Sequence, residues 1–272
     1  MECDWRDICN NRYKRFRVTE SLRKKYAKSS EEDLWRESYC YKKVIGFLER
    51  KPATCLDIGC GVGSISIRFA KEGIKTLGID IDPEIIEICS LRKEEENLGD
   101  YLNFEVFDIS ERPFDRKFEL ILCLNVLEHI KDDAAALKNM ALCIANGGYI
   151  CISVPNKLSV INLISDPHYH VPFVALMSNK CANFVVSRIL RKICGVDVQR
   201  CYTASSLIRL CNSVGLKVRN LNAEDFHKEV INSPKFFRRI LKVLSRIGLL
   251  SKFLEWLYVT FCVRSYLFLL YY

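Results

Sequence analysis

The chain has 272 residues, 49% of them hydrophobic and 27% charged, with 12 glycines and 7 prolines. That length and composition suit one large domain, or one domain with an added cap, and exclude small stapled scaffolds, collagen-like chains and disordered segments. The net charge of +8 is uneven: residues 1–50 carry 13 Lys/Arg against 9 Asp/Glu, residues 51–185 carry 13 against 19, and residues 186–272 carry 15 against 5. The middle is acidic and the last third basic, which suits an anionic partner for the C-terminal part.

Residues 1–50 read as a helical extension, and Glu2, Asp4, Arg6 and Asp7 stand where a secretory leader needs apolar residues. The fourteen cysteines lie mostly in apolar runs, with no C-x-x-C pair and no zinc spacing, so they read as small core hydrophobes in a reducing compartment, the cytoplasm. From Lys51 onward, short apolar runs alternate with amphipathic stretches, the pattern of a parallel βαβ sheet. The predicted strands are 54–58, 75–80, 102–107, 118–124, 148–154, 216–221 and 264–271.

Helices are predicted over 64–71, from Pro83 behind an Asp82 cap, from Asp132/Asp133 with Leu137, Ala141 and Ile144 on one face, and from Thr203 to Gly215. The segments 156–203 and 223–262 interrupt the alternation and are each long enough to build a cap. The predicted organisation is therefore a helical extension (1–50), a core (51–222) with a cap insertion at about 156–203, basic amphipathic cap helices (223–262) and a last core strand (263–272). The most hydrophobic stretch, 253–272, is broken by Glu255 and Arg264, so no membrane span is expected.

The sharpest motif is LDIGCGVGSISIRFA, residues 56–70: a strand, then Gly59-x-Gly61-x-Gly63, then a helix. Such glycines permit close backbone approach to a ligand at a helix N-terminus. Position 64 is Ser, not Gly, and Asp57 immediately before the loop would repel a pyrophosphate, so a ligand without phosphate fits better than a dinucleotide. The second strand ends at Asp80 in GIDID, where an acid can accept both hydroxyls of a ribose. The third ends at Asp108 in VFDIS, placed for an adenine amino group. Asp82 before Pro83 reads only as a helix cap.

Taken with FELILCLNVLEHI (118–130) and LCIANGGYICISVPN (142–156), these residues resemble the class I S-adenosylmethionine-dependent methyltransferases, strongly over about 50–155. The resemblance implies a Rossmann-like α/β fold, a seven-stranded mostly parallel sheet with helices on both faces and a helical cap, and S-adenosylmethionine as cofactor. It further implies that Asp57, Gly59, Cys60, Gly61 and Gly63 hold the methionine part, Asp80 and Ile81 the ribose side, Asp108 and Ile109 the adenine, and that Asn125 forms the pocket floor. The cofactor's sulfonium cation agrees with the acidic middle of the chain.

A hydroxyl acceptor must lose a proton, and histidine suits that task. His129, in an Glu128-His129 pair that resembles quinone-biosynthesis O-methyltransferases, is the candidate base; orientation of its loop by hydrogen bonding is the other reading. His168 and His170 lie in SDPHYHVPF, which resembles relatives from polysaccharide and lipid pathways. By resemblance, Glu128, His129 and His168 or His170 together are a candidate divalent-metal set, but the relatives that bind metal carry a Glu three places before the Glu-His pair, where this chain has Asn125, so no metal is expected. The segment 234–262 sets Phe236, Ile240, Val243, Leu244 and Ile247 on one face, against Lys235, Arg238, Arg239, Lys242 and Arg246. It reads either as a cap over the site or as a peripheral contact with an anionic membrane.

The expected reaction is methyl transfer to an oxygen of a small, glycan-linked or lipid-linked acceptor. The alternatives are a quinone-type phenol, a nicotinamide enzyme disfavoured by Asp57 and Ser64, and a methyltransferase-like binding module without catalysis. No nucleic-acid-binding signature is present.

Overall fold

A computed structural model describes residues 38–189, 198–232 and 248–272. The expectations for most of the N-terminal extension, and for much of the basic segment 234–262, lie outside the described residues.

Seven strands form one sheet: β1 (Thr54–Ile58), β2 (Lys75–Asp80), β3 (Leu102–Val106), β4 (Phe118–Leu124), β5 (Ile144–Pro155), β6 (Lys217–Asn220) and β7 (Ser265–Tyr271), in the order β3-β2-β1-β4-β5-β7-β6. The first five strands pair in parallel and β7 runs antiparallel between β5 and β6. β1 and β4 are apolar on both faces because both are covered, as a parallel sheet between helices requires. The same reason explains the hydrophobic C-terminus: Tyr266, Phe268, Leu269 and Leu270 are wholly buried in β7, which belongs to the sheet and not to a lipid phase. Among the described residues no helix is long and apolar enough to cross a membrane.

The connecting helices are α1 (Ser64–Lys71), α2 (Pro83–Glu95), α3 (Asp133–Leu142), α4 (Ala204–Ser213), α5 (Leu221–Asn232) and α6 (Gly248–Leu257). Their starts are set by side chains: Asp82 accepts the Glu84 and Ile85 N–H groups, Asp132 that of Ala135, and Thr203 forms a reciprocal box with Ser206. One boundary differs from expectation. Ile144 is not on the face of α3, which ends at Leu142; it opens β5 by pairing with Phe118, and the register then shifts so that Tyr149 faces Leu120. The Asn146-Gly147-Gly148 run is the bulge that allows this, since a Cβ on Gly148 would stand 2.9 Å from the Glu119 carbonyl. The third strand is also one residue shorter than expected, and the sixth spans only Lys217–Asn220.

The insertion after β5 contains short helical turns at Val160–Ile164 and Asn179–Asn183 and has its own small core of Tyr169, Val171, Val174, Ala182, Val186 and Val198. Asn156, fully buried at the end of β5, ties it down. Its Nδ2 donates to the carbonyls of Val259, Thr260 and Val263, and its Oδ1 accepts from Tyr266 Oη at 2.6 Å. β1 meets β2 on one side and β4 on the other, so the sheet changes direction at β1 and leaves a crevice at the carboxyl ends of these strands.

Candidate active site

The loop leaving β1 lies in that crevice. Gly61 has φ +53°, and nothing stands within 4 Å of where its Cβ would be, so the loop presents bare backbone to open space. Gly63, the residue before α1, has φ +79° and lies so close to Phe104 Cζ that a Cβ would stand 2.8 Å away. Both positions need the left-handed conformation that glycine adopts without cost. Gly59 carries the Val126 side chain against its backbone, which seats the loop after β4 beside the loop after β1. Cys60 donates its N–H to the Ile79 carbonyl at 2.9 Å, and its thiol is pushed up by the neighbouring Cys89 and by burial.

The three edge acids have different surroundings. Asp80 Oδ2 accepts the Gly61 N–H at 3.3 Å and Oδ1 accepts the Asp82 N–H at 3.1 Å, so it lies at the loop's mouth. Asp57 is buried behind the loop, where Oδ2 accepts from Ser66 Oγ at 2.6 Å. Burial raises its carboxyl to about 7; the Ser66 hydrogen bond opposes this and the Asp80 charge adds to it. Asp108 Oδ1 accepts both the N–H and the hydroxyl of Ser110, at 2.8 and 2.7 Å, which makes it a turn-forming residue as well as an edge acid. Ile81 is exposed beside Asp80, whereas Ile109 is buried in the main core. Asn125 has φ +58°, and its N–H donates to the Ser153 carbonyl at 2.8 Å, which ties the chain leaving β4 to β5.

The Glu128-His129 pair sits in the turn Leu127–His129 directly after β4, where the His129 N–H donates to the Val126 carbonyl at 2.9 Å. Glu128 is 1% exposed. Its carbonyl accepts the N–H groups of Gln199 and Arg200, so the returning chain roofs it. The structure separates the two cap histidines. His168 meets His129 edge to face, with ring centroids 5.1 Å apart, while His170 is exposed and faces Ser165. Asp166 sets this turn by accepting the N–H groups of His168 and Tyr169, each at 2.9 Å.

Two supports were not read from the sequence. Ser66 sits on the inner face of α1, nine residues after Asp57, a spacing that carries no signature of its own. Tyr202 is buried and donates to Asp133 Oδ2 at 2.6 Å, where Arg200 also pairs at 2.8 Å, locking the roof over Glu128 to the start of α3.

A sequence model of the family described as "Methyltransferase domain" matches residues 33–221. The chain is 31% identical over 118 residues to an ajmaline N-methyltransferase from Rauvolfia serpentina, covering 43% of this chain and 40% of that one. It is 32% identical over 117 residues to a ubiquinone biosynthesis O-methyltransferase from Nitrosomonas europaea, covering 42% of this chain and 48% of that one. The chain thus spans less than half the length of these curated relatives. Among solved structures, an O-methyltransferase from a trans-AT polyketide synthase multienzyme of Brevibacillus brevis, in complex with S-adenosylhomocysteine, shares the fold. Its TM-score is 0.51 at 18% identity, over 88% of this chain and 74% of that one. The YcgJ protein from Bacillus subtilis does so at TM-score 0.51 and 17% identity, over 84% and 93%.

Proposed function

Because the chain belongs to the class I S-adenosylmethionine-dependent methyltransferases, we propose that this protein transfers the methyl group of S-adenosylmethionine to a hydroxyl of a lipid-like acceptor. The observation that carries the transfer is the loop after β1. Gly61 offers bare backbone to open space while Asp80 holds the same loop from the next strand. In this reading the loop of Gly59, Cys60, Gly61 and Gly63 takes the methionine part, Asp80 and Ile81 the ribose side, and Asp108 and Ile109 the adenine end. Asn125 forms the floor. Asp57 acts from behind, its carboxylate favoured once a sulfonium cation lies over the loop.

The acceptor then lies at the carboxyl end of β4, beside Glu128 and His129. In-line transfer draws much of its acceleration from holding the reactants aligned, and the acceptor proton leaves at the Glu128-His129-His168 cluster. The lipid-like character rests on the outer face of the cap, where Ile161, Ile164, Phe173, Phe253 and Trp256 are exposed. A quinone-type phenol is one such acceptor, and the similarity to a ubiquinone biosynthesis O-methyltransferase favours it among them. The 165–173 segment, which resembles relatives from both polysaccharide and lipid pathways, has a folding role through Asp166 and does not choose between a glycan-linked and a lipid-linked acceptor.

Calorimetric titration with S-adenosylmethionine and S-adenosylhomocysteine, with NAD as control, tests the reading. Micromolar binding of the first two and none of NAD is expected. A folded protein that binds neither would overturn it.

A further inference from the structure

We propose that Cys89 and Arg92, on one face of α2, are positioning residues for the cofactor. They set which way the peptides of the glycine loop face, and with that the affinity for the amino-acid end of S-adenosylmethionine; this role rests on the methyl-transfer reading above. Neither residue stands in the loop, at a strand end or in the motifs that carry the family resemblance.

Residues 60–63 form a tight turn in which the Gly63 N–H donates to the Cys60 carbonyl at 3.0 Å. That bond leaves the central peptide, the Gly61 carbonyl with the Val62 N–H, able to face either side of the loop, which is the difference between one turn type and another. A glycine at 61 keeps both choices accessible, because it takes either sign of φ. Selection of one side therefore comes from outside the turn.

Cys89 makes that selection. Its thiol donates to the Gly61 carbonyl at 3.0 Å, and the Cys60 thiol approaches the same oxygen at 3.6 Å. On the next turn of α2, Arg92 Nη1 donates to the Val62 carbonyl and, at 2.9 Å, to Ser64 Oγ. Two successive carbonyls are thus drawn toward α2. In a trans peptide the N–H points opposite to the C=O, and among the described residues no peptide is cis. The Val62 N–H therefore faces away from α2, and it donates to no backbone carbonyl among the described residues. Asp80, at the end of β2, takes the Gly61 N–H at 3.3 Å, so β2 and α2 between them hold every peptide of the turn.

The consequence is electrostatic. The amino-acid end of the cofactor carries a carboxylate, which backbone N–H groups ahead of a helix attract and carbonyl oxygens repel. With both carbonyls turned to α2, the loop ahead of α1 offers N–H dipoles on its other side. The Cys89 side chain is fully buried, so water does not compete for its bond. A thiol is nevertheless a weak donor, whereas a guanidinium makes charge-assisted bonds, so Arg92 is the firmer of the two anchors.

The test measures, by calorimetry on the full chain, the affinity for S-adenosylhomocysteine and for 5′-methylthioadenosine, which keeps the adenine, ribose and sulfur but lacks the amino-acid end. It compares the wild type with Arg92→Met, Cys89→Ala and Cys89→Ser. We expect S-adenosylhomocysteine to bind at least about tenfold more weakly to Arg92→Met and about threefold more weakly to Cys89→Ala, with methylthioadenosine within about twofold in both. Cys89→Ser, which keeps a donor, should restore the wild-type affinity; binding as weak as in Cys89→Ala would remove Cys89 from the role. Equal weakening of both ligands would make the pair general supports of the loop and overturn the proposal, as would unchanged S-adenosylhomocysteine affinity in Arg92→Met. Wild type that binds methylthioadenosine as tightly as S-adenosylhomocysteine would also sink it, since the amino-acid end would then contribute nothing. Wild type that binds neither ligand would overturn the methyl-transfer reading itself, and the positioning role with it. Arg92 is partly exposed, so Arg92→Met carries the comparison if Cys89→Ala fails to fold.

Discussion

Asp80 holds the glycine loop from the neighbouring strand, its Oδ2 accepting the Gly61 N–H at 3.3 Å while its Oδ1 accepts the Asp82 N–H at 3.1 Å. One carboxylate therefore fixes both the mouth of the loop and the entry to α2. Asp80→Ala removes that acceptor and, in the proposed function, the partner of the ribose hydroxyls. Hydrogen bonds to a charged group contribute about 1.5–3 kcal/mol, so S-adenosylmethionine affinity should fall about 10- to 100-fold. Calorimetry on the variant checks this, and unchanged affinity would remove Asp80 from the pocket.

Asp57 makes the ligand-free protein pH-sensitive. Its carboxyl is raised from 3.8 to about 7, chiefly by burial. Between about pH 4 and 7 the folded chain retains a proton that the unfolded chain releases. The contribution to stability is therefore full below about pH 4, falls as pH rises toward 7, and is level above that. Asp57→Asn, which keeps an acceptor for Ser66, should flatten this slope. Urea unfolding at pH 5, 6, 7 and 8 reads it directly; a slope that persists in the variant would assign it to another group.

The sheet was legible because its signals are local. The runs of β1, β2 and β5 are closed by Gly59, Asp80 and Pro155, and three helix starts carry a capping residue, Asp82, Asp132 and Thr203, in the sequence itself. The glycine loop and the acids at 57, 80 and 108 are legible for the same reason, since each is fixed by its place at a strand end. What escaped depended on contacts distant in sequence. Ile144 fits the periodicity of α3, yet Cys143 ends that helix and the two glycines beyond let the strand begin early. His168 and His170 were indistinguishable in sequence; the Asp166 turn sends one toward His129 and leaves the other exposed.

Asn156 is the clearest residue whose role no sequence pattern announced. Its amide donates to three carbonyls 103 to 107 residues away, and its oxygen accepts from Tyr266 and from the Leu158 N–H. Asn156→Ala leaves these buried groups without their partner, at a cost of about 1–3 kcal/mol for each group not rescued by water. We expect a loss of about 3–5 kcal/mol, seen as a lower urea midpoint. Asn156→Asp should be no better, because a buried carboxylate facing three carbonyls cannot donate to them.

His129 is placed to act on the acceptor rather than on the cofactor. It follows Val126, which packs on Gly59, and it faces His168 across the crevice. His129→Ala should lower turnover at least a hundredfold while S-adenosylhomocysteine affinity stays within about twofold, as expected for a group that handles the proton of the reacting oxygen. Single-turnover measurement with a phenolic acceptor separates the two quantities. Turnover that survives the substitution would assign His129 to loop orientation alone.

The exposed face of the cap predicts where a lipid-like acceptor is met. Phe253 and Trp256 stack with ring centroids 5.9 Å apart, both exposed, and Ile161 and Ile164 are exposed on the turn that contacts the end of the same C-terminal helical segment. Immediately before them the chain carries Lys235, Arg238, Arg239, Lys242, Arg246 and Lys252, with no acid from residue 233 to 254. Aromatic residues suit the headgroup region, and each basic residue near an anionic surface contributes about 1 kcal/mol. The protein should therefore co-sediment with vesicles containing phosphatidylserine, less with pure phosphatidylcholine, and less again as salt rises. The double variant Phe253→Ser, Trp256→Ser should weaken binding about tenfold without altering S-adenosylhomocysteine affinity. Equal partition of wild type and variant would mean that the basic segment alone touches lipid, and no partition of either would leave the aromatic pair as the rim of a cap that admits a soluble acceptor.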